Sequence, residues 1–262
     1  MSFGEQRGVR GVVGFPERML YRAMGVADPA HYLHYRWLRR MLDGLPFLPT
    51  SILDAGCERA DFTYYLGRRF PGADVLGVDI DRKFIERDRD VHPRMHLPNV
   101  RFELGDLANI TFQERFDLVV SIDVLEHIPA QRTAIENLRD AMQVGGQAFF
   151  HIPTARERPV PFSDHLKAFH EWALHEHTAQ DLTADEFVDA VRSVGFRILE
   201  VRRTFGYWSG ELATSLFALP YRDTTRNRIL QGLLAVPCRL LALTDSLPLP
   251  QARYAVAVTA EA

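Results

Sequence analysis

The chain is poor in cysteine, with only Cys57 and Cys238 among 262 residues. Two cysteines this far apart form neither a disulfide framework nor a metal knuckle, so a reducing, cytoplasmic setting is expected. An excess of one charge is lacking too. The 31 basic and 34 acidic side chains leave a net charge of −3. Phosphate backbones are met by lysine and arginine, so no nucleic-acid partner is expected. Long hydrophobic runs are also missing. The most apolar stretch, "ILQGLLAVPCRLLAL", is interrupted by Gln231, Pro237 and Arg239. It is too short and too polar to span a bilayer. It reads as a core helix, and a lipid-facing helix is the other reading, so peripheral membrane contact stays open. The first twenty residues have no continuous apolar core and no small-residue cleavage site, and no signal peptide is expected.

What is present is alternation. "DPAHYLHYRWLRRMLDGL" begins with Asp28 as N-cap and Pro29 at the first helical position. Leu33, Trp37, Leu38, Met41 and Leu42 recur at helical spacing until Pro46. Short apolar strands then alternate with helices. The strands are "SILDAG", "DVLGVDI", "VRFELGD", "RFDLVVSID" and "QAFFHIP". The last intervening helix, "AQRTAIENLRDAMQVGG", places Ile135, Leu138 and Met142 on one face and closes at Gly145 and Gly146. Thr183 and Glu186 form a capping box for a later helix. Two further strands, "FRILEVRRT" and "ARYAVAVTA", flank the apolar segment 211–247 and suggest a closing antiparallel hairpin. This pattern predicts an α/β fold with a doubly wound, mostly parallel sheet. Residues 49–262 form the domain, with a lid-like insert at 154–182 and an apolar helical insert at 211–247. Residues 1–48 form a helical segment positioned to cover a ligand site.

Open parallel sheets bind ligands at the carboxyl ends of their strands. Those ends carry Asp54, Gly56 and Cys57, then Asp79 and Ile80, then Gly105, Asp106 and Leu107, then Ser121, Ile122 and Asp123. A carboxylate such as Asp79 at the second strand end can accept both hydroxyls of a ribose. Asp106 suits an adenine amino group, with Ile80 and Leu107 flanking the ring. The loop "DAGCERAD" has Glu58 and Ala60 where glycine is usual in such crevices, and acidic residues where a pyrophosphate would sit.

The segments "ILDAGCERADFTYYL", "VLGVDID", "LGDL", "FDLVVSIDVLEHIP" and "AMQVGGQAFFHIP" resemble the successive motifs of class I S-adenosylmethionine-dependent methyltransferases. They are most similar to the type 11 group, which includes the ubiquinone and menaquinone methyltransferases. The resemblance covers roughly residues 50–153 and also fits the last strands. It implies a Rossmann-like seven-stranded sheet with its last strand antiparallel, and S-adenosyl-L-methionine as cofactor with S-adenosyl-L-homocysteine as product. It assigns Asp54, Gly56 and Cys57 to the methionine side, Asp79 to the ribose, Asp106 to the adenine, and Ser121 and Ile122 to the sulfonium region. Glu58 and Ala60 depart from the family's glycines. An acidic loop disfavours a dinucleotide but tolerates a sulfonium cation. A degenerate binding scaffold is the other reading.

Methyl transfer is an in-line displacement that rests on positioning in a dry site, with a base only where the acceptor loses a proton. His127 in "VLEHIP" is the candidate acid/base residue. His151, Asp164, His165, His170 and His175 are candidates to face the acceptor, with Tyr207 from "FGYW". His170 and His175 are five apart, about 140° around a helix, so no metal is expected there. Arg36 is expected to pair with the cofactor's carboxylate. The resemblance implies a small-molecule acceptor, amphiphilic and lipid- or sugar-like, with oxygen favoured and nitrogen or carbon open. Nothing in the sequence sets the oligomeric state.

Overall fold

The computed structural model describes residues 29–154, 182–213, 237, 238, 240–247 and 253–262. Asp164, His165, His170 and His175 therefore lie outside the described residues, as does most of the segment 211–247. Among the described residues the elements run α1 (Pro29–Asp43), β1 (Ser51–Ala55), α2 (Asp61–Arg69), β2 (Asp74–Asp79), α3 (Arg82–Val91), β3 (Val100–Leu104), β4 (Phe116–Ile122), α4 (Gln131–Asp140), β5 (Met142–Pro153), α5 (Ala184–Ser193), β6 (Arg197–Gly206) and β7 (Arg253–Glu261).

The strands form one seven-stranded sheet in the order β3-β2-β1-β4-β5-β7-β6. All neighbours from β3 to β5 are parallel, and β7 runs antiparallel between β5 and β6. The expected closing hairpin is present. Helices cover both faces, so the central strands need apolar side chains on each side. Ile52, Leu53, Leu118, Val119 and Val120 are accordingly buried. One face packs on Trp37, Leu38, Met41 and Leu42 of α1, Tyr64 and Leu66 of α2, and Ile85 of α3. The other packs on Ile135 and Leu138 of α4 and on Phe187, Val188 and Val191 of α5. The Thr183–Glu186 capping box opens α5 as expected. No helix among the described residues is long and apolar enough to cross a membrane.

One boundary differs from expectation. α4 ends at Asp140, and Met142 pairs with Phe116 as the first residue of β5. A buried methionine at helical spacing serves a strand equally well, and the bulge between Phe116 and Leu118 absorbs the shift. Gly145, at φ 80°, stands inside the strand rather than closing a helix.

α1 is tied to the far end of the sheet by Asp245, which is 3% exposed. Its carboxylate accepts Trp37 Nε1–H at 2.7 Å, Gly206 N–H at 2.9 Å, Ser209 Oγ–H at 2.7 Å and Arg253 Nη1–H at 3.1 Å. Arg36 joins the same junction, donating to Ala242 O at 3.0 Å and Ser246 Oγ at 2.8 Å. Arg36 was expected to pair with the cofactor's carboxylate, and here it faces residues 242–246. Its terminal nitrogens are engaged in holding α1 to residues 242–246.

Candidate functional site

The chain turns outward from β1 on either side of the sheet, to β2 and to β4, which opens a crevice at their carboxyl ends. The loop after β1 is folded against β2. Gly56 and Cys57 donate their N–H groups to Val78 O at 2.8 and 2.9 Å. Gly56 has φ 84°, and a Cβ there would lie 2.2 Å from Val124. Gly56→Ala is therefore expected to lower the melting temperature, by about 2–3 kcal/mol of stability. Equal melting curves for variant and parent would contradict this geometry.

Glu58 and Ala60 take φ 39° and 58°, the left-handed region that favours glycine. Their strain is held by contacts. Glu58 N–H donates to Asp79 Oδ2 at 2.8 Å, and Glu58 O accepts from Arg87 at 3.0 Å. The Glu58 side chain, half exposed, pairs with Arg59 at 2.9 Å. Ala60 is fully buried among apolar neighbours.

Asp79 spans two loops. Oδ2 takes Glu58 N–H, and Oδ1 takes Asp81 N–H at 2.8 Å. Each oxygen keeps a lone pair for a ribose hydroxyl. Ile80 beside it is 70% exposed, an apolar surface free to cover a flat ring. Asp106 accepts Ala108 N–H at 2.9 Å and Asn109 Nδ2–H at 2.6 Å, so its carboxylate also shapes its own turn. Leu107 departs from expectation, because it is 4% exposed within the core on the α4 and α5 side and presents little surface to a ring. Ser121 is 1% exposed, and its Oγ lacks a hydrogen-bond partner. A buried hydroxyl left unpaired at a strand end fits a ligand's polar group. Together with the carboxylates, it fits S-adenosylmethionine, which brings hydroxyls and cationic groups and no phosphate.

Asp54 is buried at the end of β1. Burial pushes its carboxyl up to about 7, opposed by a hydrogen bond from Thr63 Oγ1 at 2.5 Å. The folded value exceeds the unfolded value of about 3.9. Its contribution to stability is therefore full below about pH 4 and is lost as pH rises through about 7. Melting temperature is expected to fall between about pH 4 and 7, and Asp54→Asn to flatten that slope. Parallel pH profiles for the two proteins would contradict this.

Where α1 meets the carboxyl ends of β4 and β5 there is a cluster that the sequence did not single out as one. Asp123 Oδ1 lies 2.7 Å from His151 Nδ1, and Asp123 Oδ2 lies 3.0 Å from His34 Nε2. His151 Nε2 meets Thr204 Oγ1 at 3.0 Å. Both histidines are buried, at 6% for His34 and 1% for His151, whereas the Asp123 side chain is 37% open. Burial alone would raise the Asp123 carboxyl. The two imidazoles outweigh it and hold the group well below the usual carboxylate range. His151, a candidate acceptor contact, thus stands behind Asp123 with both ring nitrogens engaged.

Glu126 is also buried. Burial, then the charge on Asp123, pushes its carboxyl well above the ordinary range. Its 3.8 Å approach to His127 is accordingly a long contact to a group favouring its neutral form. His127 sits in the turn Leu125–His127 with a 40% exposed side chain. Tyr207 starts the short π-helical turn Tyr207–Leu212 and meets the Trp208 ring edge-on at 4.9 Å.

A family described as a methyltransferase domain matches residues 30–201. The chain is 31% identical over 141 residues to the trans-aconitate 2-methyltransferase of Variovorax paradoxus, covering 51% of this chain and 52% of that protein. It thus spans about half the length of that relative. It is 24% identical over 187 residues to a ubiquinone biosynthesis O-methyltransferase of Coxiella burnetii, covering 68% and 76%. Among solved structures, geranyl diphosphate methyltransferase in complex with S-adenosylmethionine has the same fold, with a TM-score of 0.60, 15% identity and coverage of 88% and 86%. A phosphoethanolamine N-methyltransferase of Haemonchus contortus gives a TM-score of 0.65 at 15% identity, covering 98% of this chain and 57% of that one. With the family match spanning most of the sheet and its strand-end residues, the chain belongs to the class I S-adenosylmethionine-dependent methyltransferases.

Proposed function

We propose that the chain methylates an oxygen of a small-molecule acceptor, amphiphilic and lipid- or sugar-like. The observation that carries this reading is the partly open Asp123 carboxylate gripped by two buried imidazoles. Bound S-adenosylmethionine supplies an electrophilic methyl group on a sulfonium. The chain's residues bind, orient and exclude water around it. Asp79 and Asp106 hold the nucleoside hydroxyls and amine, with Ile80 over the ring. Ser121 and Ile122 line the sulfonium region, and Asp54, Gly56 and Cys57 the methionine side.

A hydroxyl acceptor must shed a proton as its oxygen forms the new C–O bond. Asp123, held ionised, accepts the hydroxyl's hydrogen bond and aligns it but is too weak a base to keep the proton. His127, with its open side chain, can exchange that proton with water. The Coxiella relative, named an O-methyltransferase of ubiquinone biosynthesis, also supports oxygen as the acceptor atom. Two buried cysteines that form no disulfide, Cys57 and Cys238, suit a reducing cytoplasmic setting.

The test is product analysis. The chain is incubated with S-adenosylmethionine and a panel of phenols, sugars, amines and prenylated acceptors, and products are mapped by mass spectrometry. A methyl ether supports the reading, and methyl found on nitrogen or carbon overturns it. His127→Ala is expected to lower kcat by about a hundredfold or more with KM nearly unchanged. Unchanged kcat would remove His127 from the chemistry. The scaffold reading loses support from Glu58, whose side chain is turned to Arg59 at the surface.

A further inference from the structure

We propose that His34, Asp123 and His151 form a binding site for a first-row divalent cation, of the zinc, iron(II) or manganese kind, on the acceptor side of the crevice. His34 Nε2, a carboxylate oxygen of Asp123 and His151 Nδ1 all lie within 4.8 Å of one another. The nearest pairs are 3.0 and 2.7 Å apart. Neighbouring ligand atoms of a tetrahedral zinc stand about 3.3 Å apart, so an ion would replace these two close contacts, one to each carboxylate oxygen, with the three donors already within 4.8 Å.

Two features point to a ligand rather than a simple pairing. His34 is 6% exposed, and its Nε2 makes no properly directed hydrogen bond although Asp123 is 3.0 Å away. A buried ring nitrogen without a directed hydrogen bond is available to a ligand. His151 has the complementary arrangement. Its Nε2 faces Thr204 Oγ1 at 3.0 Å, which leaves Nδ1 as the inward atom. Metal-binding imidazoles are oriented by such an outer partner on the other nitrogen. The two rings are 4.5 Å apart and nearly perpendicular, so their nitrogens can converge without stacking.

The scaffold is rigid. His34 comes from α1, Asp123 from the end of β4, and His151 from β5. Asp123 N–H also donates to His151 O at 2.9 Å, which fixes the two against each other. Two imidazoles and one carboxylate suit zinc, iron(II) and manganese, and suit magnesium or calcium poorly. Three protein ligands leave a coordination position open. Both imidazoles are buried and Asp123 is 37% open, so that position faces the crevice. On the transferase reading, it receives the acceptor oxygen, and acceptors able to ligate through oxygen are preferred.

The test uses the full chain. Purified protein is assayed for bound metal, stripped with a chelator, then titrated with zinc and with cobalt(II) as a spectroscopic probe. Binding of S-adenosylhomocysteine is measured alongside. About one ion per chain is expected, with a cobalt spectrum of nitrogen and oxygen ligation. His34→Ala and His151→Ala are each expected to weaken binding by about a hundredfold or more, and Thr204→Val by about tenfold, with S-adenosylhomocysteine binding retained. Should the alanine variants fail to fold, Thr204→Val and the wild-type cobalt spectrum decide. No retained ion together with no cobalt spectrum at millimolar cobalt would overturn the site and leave a hydrogen-bonded relay. Unchanged affinity in a folded His34→Ala or Thr204→Val overturns it as well. Metal binding without S-adenosylhomocysteine binding sinks the transferase reading and leaves the site standing, and the reverse result does the opposite.

Discussion

Asp79→Ala is expected to weaken S-adenosylhomocysteine binding by at least about a hundredfold. Hydrogen bonds to a charged partner contribute about 1.5–3 kcal/mol each, and a ribose presents two hydroxyls. A second loss compounds the first. Asp79 accepts Glu58 N–H and Asp81 N–H, so the alanine also frees the loop after β1 and the entry to α3. The left-handed backbone of Glu58 is held in part by that bond, and without it the loop can relax out of the binding shape. Isothermal titration of both proteins checks this, with thermal melting to show that the variant is folded. Affinity within about threefold of the parent would take the ribose away from Asp79 and favour the scaffold reading.

Asp245→Ala carries the largest expected effect on stability. It removes the acceptor of five donors: Trp37, Phe205, Gly206, Ser209 and Arg253. Asp245 is 3% exposed, so water cannot replace it. Breaking a buried ion pair leaves an uncompensated charge, here on Arg253, and costs about 3–5 kcal/mol. At this chain length each kcal/mol moves the melting temperature by about 2–4 °C, so a fall of roughly 10 °C is expected. Asp245→Asn keeps one carbonyl acceptor and should fall between. The effect reaches the crevice, because Asp245 holds α1 and α1 carries His34. A shift below about 3 °C would show that α1 is anchored by its apolar face alone.

The strands and most helices were legible because their signals are local. Apolar runs such as "RFDLVVSID" need only their own residues to declare a strand buried on both faces, and β4 spans Phe116–Ile122. The Thr183 capping box is likewise a matter of four neighbouring residues. Met142 escaped because a helix end and a strand start share the same apolar signal, and pairing with Phe116 decides between them. Leu107 was placed correctly along the chain, at a strand end, but the direction of its side chain depends on which helix lies over it.

The chain's own order therefore carries the fold class and the row of strand-end carboxylates, whereas the demand for glycine at Gly56 comes from Val124 packed against it. Those are properties of neighbours, and neighbours are written side by side. Folding alone turned Arg36 toward residues 242–246 and gathered residues 34, 123 and 151 around one carboxylate. No sequence spacing links those three. They meet because β4 and β5 are adjacent in the sheet and α1 docks across them, and that adjacency comes from strand pairing and the burial of α1's apolar face.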